Sequence, residues 1–239
     1  MRVSVIGMGV VGKATADVLQ RLGHQVVGTD CGEPIGASEV YFVCTPEDAV
    51  ESAIITLSRG EVLNELSLVV IRSTTLPGTT KGLAEKYHMH ICHQPEFLRE
   101  ATLISDELNP WRIVIGECCQ QHGRFLEQLW EPLRCPIIRV DTVTSEIVKL
   151  ACNVHLATLI SFWNEICEIC LKLGVNSHVV GKVSSLDPRI SSYGATMHGK
   201  PFGGRCLPKD LRRLIEFSHR LGCKVPLLGA TQEVNEEKS

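Results

Sequence analysis

The sequence has little excess charge of either sign. Its 239 residues include 24 Lys and Arg against 27 Asp and Glu, a formal net charge of −3. No basic block stands out, whereas nucleic-acid-binding proteins carry a basic patch or stripe. We therefore expect no nucleic-acid partner.

Long hydrophobic runs are also missing. The longest uninterrupted apolar runs are far shorter than the ~20 residues of a membrane-spanning helix. The N-terminal stretch MRVSVIGMGVVG has the basic residue and apolar run of a signal peptide, but its three glycines and the polar residues from Lys13 to Asp17 fit a strand and a helix better. We expect no membrane association and a cytoplasmic protein.

The 11 cysteines are odd in number and spread along the chain, which excludes a small disulfide framework. Most are expected to be buried, reduced thiols. Cys167 and Cys170 form a CxxC inside a helical pattern without a second pair, which favours core packing over zinc. His88 and His90 would share one face of a strand and His93 the other, so we expect no metal site.

The N-terminal stretch has the pattern of a dinucleotide-binding turn. Residues 2–6 are apolar and β-branched, and Gly7, Gly9 and Gly12 form G-x-G-x-x-G before a predicted helix. The first glycine permits a tight turn, the second lets the backbone approach a pyrophosphate, and the third lets the helix pack on the strand. The alternative is a glycine-rich turn with only a structural role.

An acidic residue supports the dinucleotide interpretation. The helix ends before Gly23, a second strand is predicted at 25–29, and Asp30 follows it, 18 residues beyond Gly12. An acid about 20 residues past the turn bonds the ribose 2′-hydroxyl of NAD. A carboxylate there also repels the 2′-phosphate of NADP, so NAD is the expected cofactor.

Strands and helices alternate along the first part of the chain. Further strands are predicted at 39–44, 67–72, 88–92, 112–116 and 136–140, with helices near 47–59, 79–86 and 119–131. This alternation predicts an α/β fold with a Rossmann-like, doubly wound parallel sheet over residues 1–140. Ligands bind at the strand ends of such sheets, which here carry CTPED after residue 43 and RSTTLPGTT at 72–80. Ordinary turn formation explains the small and hydroxyl residues of these two stretches equally well. The predicted cofactor-contacting residues are Gly7, Gly9, Val10, Val11, Gly12, Asp30, Thr45, Pro46 and Thr74.

The second predicted domain, residues 141–239, is all-helical and contains one long central helix at 144–174. Thr144 is the predicted cap and Glu146 lies in the predicted first turn. The helix is apolar nearly all round, so we expect it to be buried in a domain interface, a homodimer interface, or both. Lys149 and Asn153, four apart, share one face, which is either a solvated edge or part of a ligand site.

The stretch PFGGRCLPKD places Cys206 just before a predicted helix that Pro208 begins. The helix dipole and Lys209 favour a thiolate, whereas Asp210 opposes it. Gly203 and the next glycine leave room for a substrate. The pattern indicates a nucleophilic cysteine, against the alternative of a tight turn with a bystander thiol.

Two carboxylates in QPEFLRE form another candidate. Glu96 and Glu100 are four apart, so both would face one way on a short turn of helix. Such a carboxylate near a thiol can position water or carry protons. Exposed glutamates at this spacing are otherwise commonplace.

Together these motifs resemble the UDP-glucose/GDP-mannose dehydrogenase family. The stretches that carry the resemblance span residues 1–210 in the family's order: GMGVVG, CTP, STTLPGTT, QPEFLRE with NPWRIVIG, SEIVKLACNVHLATLISFWNE, DPRI and PFGGRCLPKD. The resemblance implies oxidation of a sugar primary alcohol to a carboxylate with two NAD, through a thiohemiacetal and a thioester on Cys206. A UDP-sugar is the substrate most expected, with no metal.

The resemblance also implies the residue roles. The implied catalytic residues are Cys206, Lys149, Asn153, Asp210, Glu100, Glu96 and Thr74. The implied substrate-binding residues are Glu96, Phe97, Leu98, Arg99, Lys149, Asn153, Arg189, Phe202 and Gly203. In the family, the arginine at the position of Arg189 can come from the partner subunit. A homodimer through helix 144–174 is therefore expected.

The sequence departs from the family in two places. Only 29 residues follow Asp210, so we expect the family's third domain to be absent, and only about a dozen separate Asp30 from Val43 in the VYFVCTP strand, where the family has dozens more. Two alternatives therefore stay open. One is an NAD-dependent dehydrogenase of a smaller alcohol or hydroxy acid, and the other is a non-catalytic, dimeric NAD-binding module.

Overall fold

The computed structural model describes residues 1–30, 32–60, 62–63, 67–99 and 101–238. It divides into two compact units, Met1–Lys149 and Leu150–Ser239. The division falls inside the long helix, nine residues beyond the boundary placed at 140 from the sequence.

The first unit is built on a seven-stranded sheet. Its strands are β1 (Arg2–Ile6), β2 (Gln25–Thr29), β3 (Val40–Val43), β4 (Leu68–Ile71), β5 (Ile91–His93), β6 (Ile113–Glu117) and β7 (Ile137–Asp141). The order is β2-β1-β3-β4-β5-β6-β7, and each neighbouring pair is parallel except β5 and β6. Because β2 and β3 lie on opposite sides of β1, the crevice at the carboxyl end of β1 is a topological switch point. The predicted α/β, doubly wound fold is confirmed.

Helices cover both faces of this sheet. They are α1 (Val10–Arg21), α2 (Glu47–Arg59), α3 (Thr79–Tyr87), α4 (Leu103–Leu108) and α5 (Gln120–Trp130), followed by a short 3₁₀ turn at Glu131–Leu133. Alternation along β3 shows why two layers form: Phe42 packs with Trp130 in one core, whereas Tyr41 packs in a second core with Ile54. Both faces of a parallel strand are apolar because both are covered.

The second unit is helical. It contains most of α6 (Thr142–Leu173), and then α7 (Ser177–Ser184), α8 (Ser192–Met197), α9 (Leu207–Arg220) and α10 (Pro226–Glu237). Its core joins Val154, Ala157 and Ile160 of α6 to Leu211 of α9 and to Phe202 in the preceding loop. The spacing of three between these α6 residues places them on one stripe of the helix.

Two local predictions were wrong. The strand predicted at 88–92 is Ile91–His93 instead, because His88 takes a left-handed conformation (φ 53°) that ends α3. The long helix begins at Thr142, and Asp141, not Thr144, caps it: the Asp141 carboxylate accepts the Thr144 backbone N–H at 2.9 Å and its hydroxyl at 2.5 Å. The pKa of Asp141 is lowered by these hydrogen bonds.

The helix α6 leaves much apolar surface uncovered in the single chain. Among the described residues it is the one helix long and apolar enough to cross a membrane by length and composition, which is weak evidence because the core helix of a soluble protein meets the same test. Ile169, Leu171 and Leu173 are all more than half exposed. The burial expected for it is therefore incomplete within one chain.

Candidate functional site

The glycine turn follows β1 in the predicted form. A side chain at Gly7 (φ +91°) would meet the Thr45 backbone nitrogen at 2.9 Å, and one at Gly12 would meet the Gly7 carbonyl oxygen at 2.0 Å. A side chain at Gly9 would meet nothing within 4 Å. Gly9 is the N-cap of α1 and has no side chain with which to cap the helix, so a pyrophosphate would bind to the N–H groups of the first turn.

The neighbouring residues fit the rest of a dinucleotide. Asp30 accepts the backbone N–H of Met8 through Oδ1 at 2.8 Å, which holds its carboxylate at the turn. The Thr45 hydroxyl oxygen is buried and has no hydrogen-bond partner among the described residues. A bound ligand would supply that partner. Pro46 is the N-cap of α2, and Val10 and half-buried Val11 begin α1.

The cysteine beside the turn is chemically inert. Burial raises the pKa of Cys44 to about 11, so its thiol stays protonated at neutral pH. Cys44 therefore packs the turn as a small apolar side chain, which is the role expected of most cysteines here.

The loop after β4 is tied down by a glutamate. Glu146 of α6 is fully buried and accepts four hydrogen bonds, from the Thr75 hydroxyl (3.1 Å), the Gly78 N–H (2.6 Å), and the N–H (2.8 Å) and hydroxyl (2.6 Å) of Thr80. The carboxylate thus caps α3, rather than only complementing the dipole of its own helix as its first-turn position suggested. The half-buried Thr74 lies in this anchored loop.

A buried ion pair follows β5. The Lys149 ammonium donates a 3.0 Å hydrogen bond to Glu96 Oε1, and the Leu98 N–H donates to Glu96 Oε2 at 2.7 Å. The Lys149 side chain is 4% exposed and that of Glu96 12%. The Lys149 nitrogen lies 5.4 Å from the Phe97 ring centroid, and the Arg112 guanidinium carbon lies 4.2 Å from it. Two cations over one ring hold the loop in place.

The predicted helical turn carrying both glutamates is wrong. Residues 94–99 form no regular element: the Leu98 N–H donates to the Glu96 carboxylate and the Arg99 N–H to Asp106, and the next helix begins at Leu103. Arg99 forms a two-pronged pair with Asp106 at 2.6 and 2.9 Å, and this pairing lowers the pKa of Asp106. Glu100 lies outside the described residues.

A neutral histidine lies at the end of β5. His93 is fully buried, with Nδ1 2.9 Å from the Ser145 hydroxyl and Nε2 3.3 Å from the Ser73 carbonyl oxygen. Burial lowers the pKa of His93 to about 4, and the positive charge of Lys149 adds to the shift. The ring is therefore uncharged at neutral pH and donates from Nε2 to Ser73.

In the second unit, Cys206 lies where the sequence predicted it. It is exposed and is the N-cap of α9, with Pro208 in the first turn. The backbone at Gly204 is left-handed (φ +74°), and side chains added at Gly203 or Gly204 would meet nothing within 4 Å. The approach to the sulfur is open, and the helix N-terminus stabilises negative charge there.

Asp210 lies one turn after this cysteine and is fully buried. Asn153 of α6 donates a 2.6 Å hydrogen bond from its amide nitrogen to Asp210 Oδ2. Oδ1 of Asp210 lies 3.3 Å from the Lys209 ammonium but accepts no well-formed hydrogen bond among the described residues. The hypothesis that Asn153 lies on a solvated edge of the helix is wrong, since the residue is buried.

The remaining predicted substrate residues differ in exposure. The Phe202 side chain is buried in the core of the second unit and supports the cysteine loop from inside. The Asn235 side chain accepts the Phe202 N–H at 2.7 Å and donates to its carbonyl oxygen at 3.2 Å. Asn235 was missed because the pairing spans 33 residues. Arg189 is highly exposed and pairs with Asp187 at 2.6 Å. Cys170 of the CxxC is buried, as predicted for a core thiol, and Cys167 is half-buried. The expectation that most cysteines are buried is wrong, since most of those in the described residues are half-buried or exposed.

The two parts of the chain match two domain families. Residues 33–134 match the UDP-glucose/GDP-mannose dehydrogenase family, NAD binding domain. Residues 143–237 match the central domain of the same family. This chain belongs to the UDP-glucose/GDP-mannose dehydrogenase family. The resemblance drawn from the motifs is thereby confirmed, and so is NAD as the cofactor.

Relatives of the family match along the whole chain. The GDP-mannose 6-dehydrogenase of Pseudomonas putida is 31% identical over 300 aligned positions, which cover all of this chain and 68% of the relative. UDP-glucose 6-dehydrogenase TuaD of Bacillus subtilis is 32% identical over 87% of this chain and 49% of its own length. The 300 positions exceed the 239 residues present, so the relative has segments that this chain lacks.

Solved structures agree. A UDP-glucose dehydrogenase from the archaeon Pyrobaculum islandicum superimposes with a TM-score of 0.90 at 29% identity, over 99% of this chain and 68% of that one. A ternary complex of GDP-mannose dehydrogenase from Pseudomonas aeruginosa gives 0.72 at 29% identity, over all of this chain and 69% of that one.

Proposed function

We propose that this protein is an NAD-dependent dehydrogenase that oxidises the primary alcohol of a nucleotide sugar to a carboxylate through a covalent bond to Cys206. When bound at the glycine turn, NAD supplies the hydride acceptor for both oxidations. The observation that carries the proposal is the exposed Cys206 at a helix N-terminus, one turn before a buried, hydrogen-bonded Asp210. A non-catalytic module has no physical need for that arrangement.

The role of Cys206 follows from the chemistry of a thiol. The first oxidation converts the alcohol to an aldehyde. The thiolate sulfur then adds to the aldehyde carbon and the oxygen takes a proton, which gives a thiohemiacetal. Its oxidation leaves a thioester, and water cleaves the C–S bond to release the carboxylate and restore the thiol. Each sugar therefore reduces two NAD and consumes one water.

Asp210 and Asn153 suit the steps that involve water and developing charge. Oδ2 of Asp210 is held by Asn153 at 2.6 Å, while Oδ1 lies 3.3 Å from the Lys209 ammonium and accepts no well-formed hydrogen bond among the described residues. A buried carboxylate oxygen of this kind can hold a water and accept its proton as the thioester is attacked. The pair also explains why Asn, with its low helix propensity, lies in the middle of α6.

Lys149 and Glu96 suit proton transfer and oxyanion stabilisation. The buried ammonium can donate to an oxygen that gains negative charge, because donors in a dry site act without reorganisation. The partner carboxylate holds it in position. Loss of one such donor typically costs ~10²–10³ in rate.

A nucleotide sugar is the proposed substrate class, since the relatives named above are a GDP-mannose and a UDP-glucose 6-dehydrogenase. We keep a UDP-sugar as the leading candidate, and a GDP-sugar is the direct comparison. Smaller alcohols and hydroxy acids are the competing class.

We also propose that two copies pair along residues 144–174. Phe162 and Leu159 of α6 line an apolar groove with Ile190, and the end of the helix exposes Leu171 and Leu173. Exposed apolar area of this extent suits a second copy better than water. We also propose that the protein is cytoplasmic.

The test measures NADH formation with NAD and either UDP-glucose or GDP-mannose, for the wild type, Cys206→Ser and the matched control Cys223→Ser, another exposed cysteine. We expect two NADH per sugar in the wild type and the control and none above background in Cys206→Ser. Equal rates in Cys206→Ser and wild type would overturn the mechanism. Turnover of small hydroxy acids but of neither sugar nucleotide would overturn the substrate class.

A further inference from the structure

A cluster of sulfur and imidazole ligands lies in the first unit, away from the glycine turn. His90 precedes β5, Cys118 and Cys119 follow β6, and His122 lies in the first turn of α5. Because β5 and β6 run antiparallel, the start of one strand lies beside the end of the other. Residues from chain segments 26 or more positions apart thereby meet at one end of the β5–β6 pair.

The ligand atoms are close enough to share one ion. One ligand atom each from His90, Cys118 and His122 lies within 4.8 Å of the other two. The His122 Nδ1 atom is 3.2 Å from the sulfur of Cys118 and 3.2 Å from that of Cys119. Ligands on a tetrahedral Zn²⁺, at about 2.3 Å for sulfur and 2.0 Å for nitrogen, are roughly 3.3–3.8 Å apart. The two sulfur–nitrogen distances of 3.2 Å are close to this range, whereas the separations of up to 4.8 Å within the group of three, and the approach of Cys119 to His90, require side-chain movement when the ion binds.

We propose that His90, Cys118, Cys119 and His122 form a structural Zn²⁺ site. Two thiolates and two imidazoles are a standard closed zinc set, and soft sulfur with imidazole disfavours Mg²⁺ and Ca²⁺. The sequence argument against a metal compared only His88, His90 and His93, and it could not see that the antiparallel pairing brings His90 to the cysteines.

A buried cysteine beside the proposed ligands supports the site. Cys92 is fully buried beneath the cluster, its sulfur is 3.7 Å from that of Cys118, and it also accepts the Cys118 backbone N–H at 3.4 Å. A thiol S–H that donates to a metal-bound thiolate orients it and tunes its basicity.

The position explains what the ion would do. The β5–β6 pair is joined in register at a single residue pair, His93 with Gly116, whereas each other neighbouring pair is joined at three or more. A zinc ion held by residues just before β5, just after β6 and in α5 would hold the two strands together where the pairing of the sheet is shortest. The role is separate from the proposed reaction, since Glu96 follows the opposite end of β5.

The experiment titrates Zn²⁺ and Co²⁺ into the full chain, kept reduced by a phosphine that does not bind metal. We expect one Zn²⁺ per chain, a higher midpoint of thermal unfolding with Zn²⁺, and Co²⁺ spectra with sulfur charge-transfer bands and the visible bands of a tetrahedral site. Cys118→Ser and His122→Ala should each weaken binding by about 100-fold or more, and Cys119→Ser should weaken it in the same direction.

Controls separate this site from other thiols. Cys223→Ser removes another exposed cysteine and Cys206→Ser removes the proposed nucleophile, and both should leave the affinity and the Co²⁺ spectrum unchanged. His90→Gln is an exposed substitution that keeps the fold and should still weaken binding. Absence of stoichiometric binding, or binding that survives Cys118→Ser and His90→Gln, would overturn the proposal. Unchanged affinity in Cys119→Ser would overturn the four-ligand set.

Discussion

The side-chain amide of Asn153 donates a 2.6 Å hydrogen bond to Oδ2 of Asp210, and Asp210 has no exposed surface. One residue lies in the middle of α6 and the other in the first turn of α9, 57 positions later. A buried carboxylate needs such donors, because an unsatisfied charged group costs more free energy than a made bond gains. The pair therefore serves stability and, in the proposed reaction, chemistry.

Asn153→Leu should lower both the stability of the fold and the rate of the proposed reaction. It leaves Oδ2 of Asp210 without its donor, so we expect the free energy of unfolding to fall by about 1–3 kcal/mol and the rate of sugar oxidation by ~10²–10³. Urea unfolding and NADH formation measure the two effects. Lys172→Ala, an exposed change on the same helix, should stay within about 0.5 kcal/mol of wild type. An Asn153→Leu variant as stable and active as wild type would contradict the role assigned to the pair.

Local patterns predicted the fold and the isolated motifs well. The strand before Gly7, the helix after Gly9 and the position of Cys206 ahead of α9 follow from neighbouring residues alone. What the sequence could not provide is which distant side chains meet. The pairing of Glu96 with Lys149 spans 53 residues and depends on a loop without regular structure. The periodicity that served for helices misled there, because the backbone N–H groups of Leu98 and Arg99 donate to the Glu96 and Asp106 carboxylates and residues 94–99 form no helix.

The glycine turn offers a prediction that separates folding from cofactor binding. A side chain at Gly9 would meet nothing within 4 Å, whereas one at Gly12 would overlap the Gly7 carbonyl oxygen at 2.0 Å. Gly9→Ala should therefore leave thermal unfolding without cofactor nearly unchanged but weaken NAD binding, since its methyl group occupies space that a pyrophosphate would enter. Calorimetric titration with NAD and a thermal melt measure the two quantities.

Gly12→Ala should instead destabilise the fold. The clash is with backbone, which cannot move as a flexible side chain can, so we expect a loss of about 1–3 kcal/mol. Gly229→Ala, at a helical glycine with nothing within 4 Å, is the matched control and should not destabilise the protein. If Gly9→Ala melted as early as Gly12→Ala, the assignment of open space to the cofactor would fail.

His93 predicts how stability depends on pH. The folded-state pKa is about 4, below the ordinary value of 6.5, because burial disfavours the charged ring. Between pH 6.5 and 4 the unfolded chain binds a proton that the folded chain does not, so stability falls as pH falls through this window. The shift amounts to about 3 kcal/mol at the acid end of the window.

Removing the titrating ring should flatten that dependence. His93→Gln keeps an N–H donor for the Ser73 carbonyl but cannot take up the proton, so its urea-unfolding free energy should vary less between pH 6.5 and 4 than that of the wild type. His219→Gln, an exposed histidine, should keep the wild-type slope. Parallel curves for wild type and His93→Gln would show that His93 is not the group responsible.

Glu146 shows why a residue type alone does not reveal its task. From the sequence it is a first-turn acid on a long helix, whereas the structure uses it to accept four hydrogen bonds from the loop and first turn of α3. Glu146→Gln replaces one accepting oxygen by an NH₂ group that faces donors, so we expect unfolding free energy to fall by about 2–4 kcal/mol. Glu85→Gln, an exposed change with a 3.9 Å ion pair, should cost at most about 0.5 kcal/mol. Equal losses in the two variants would mean that the buried carboxylate contributes no more than a surface charge.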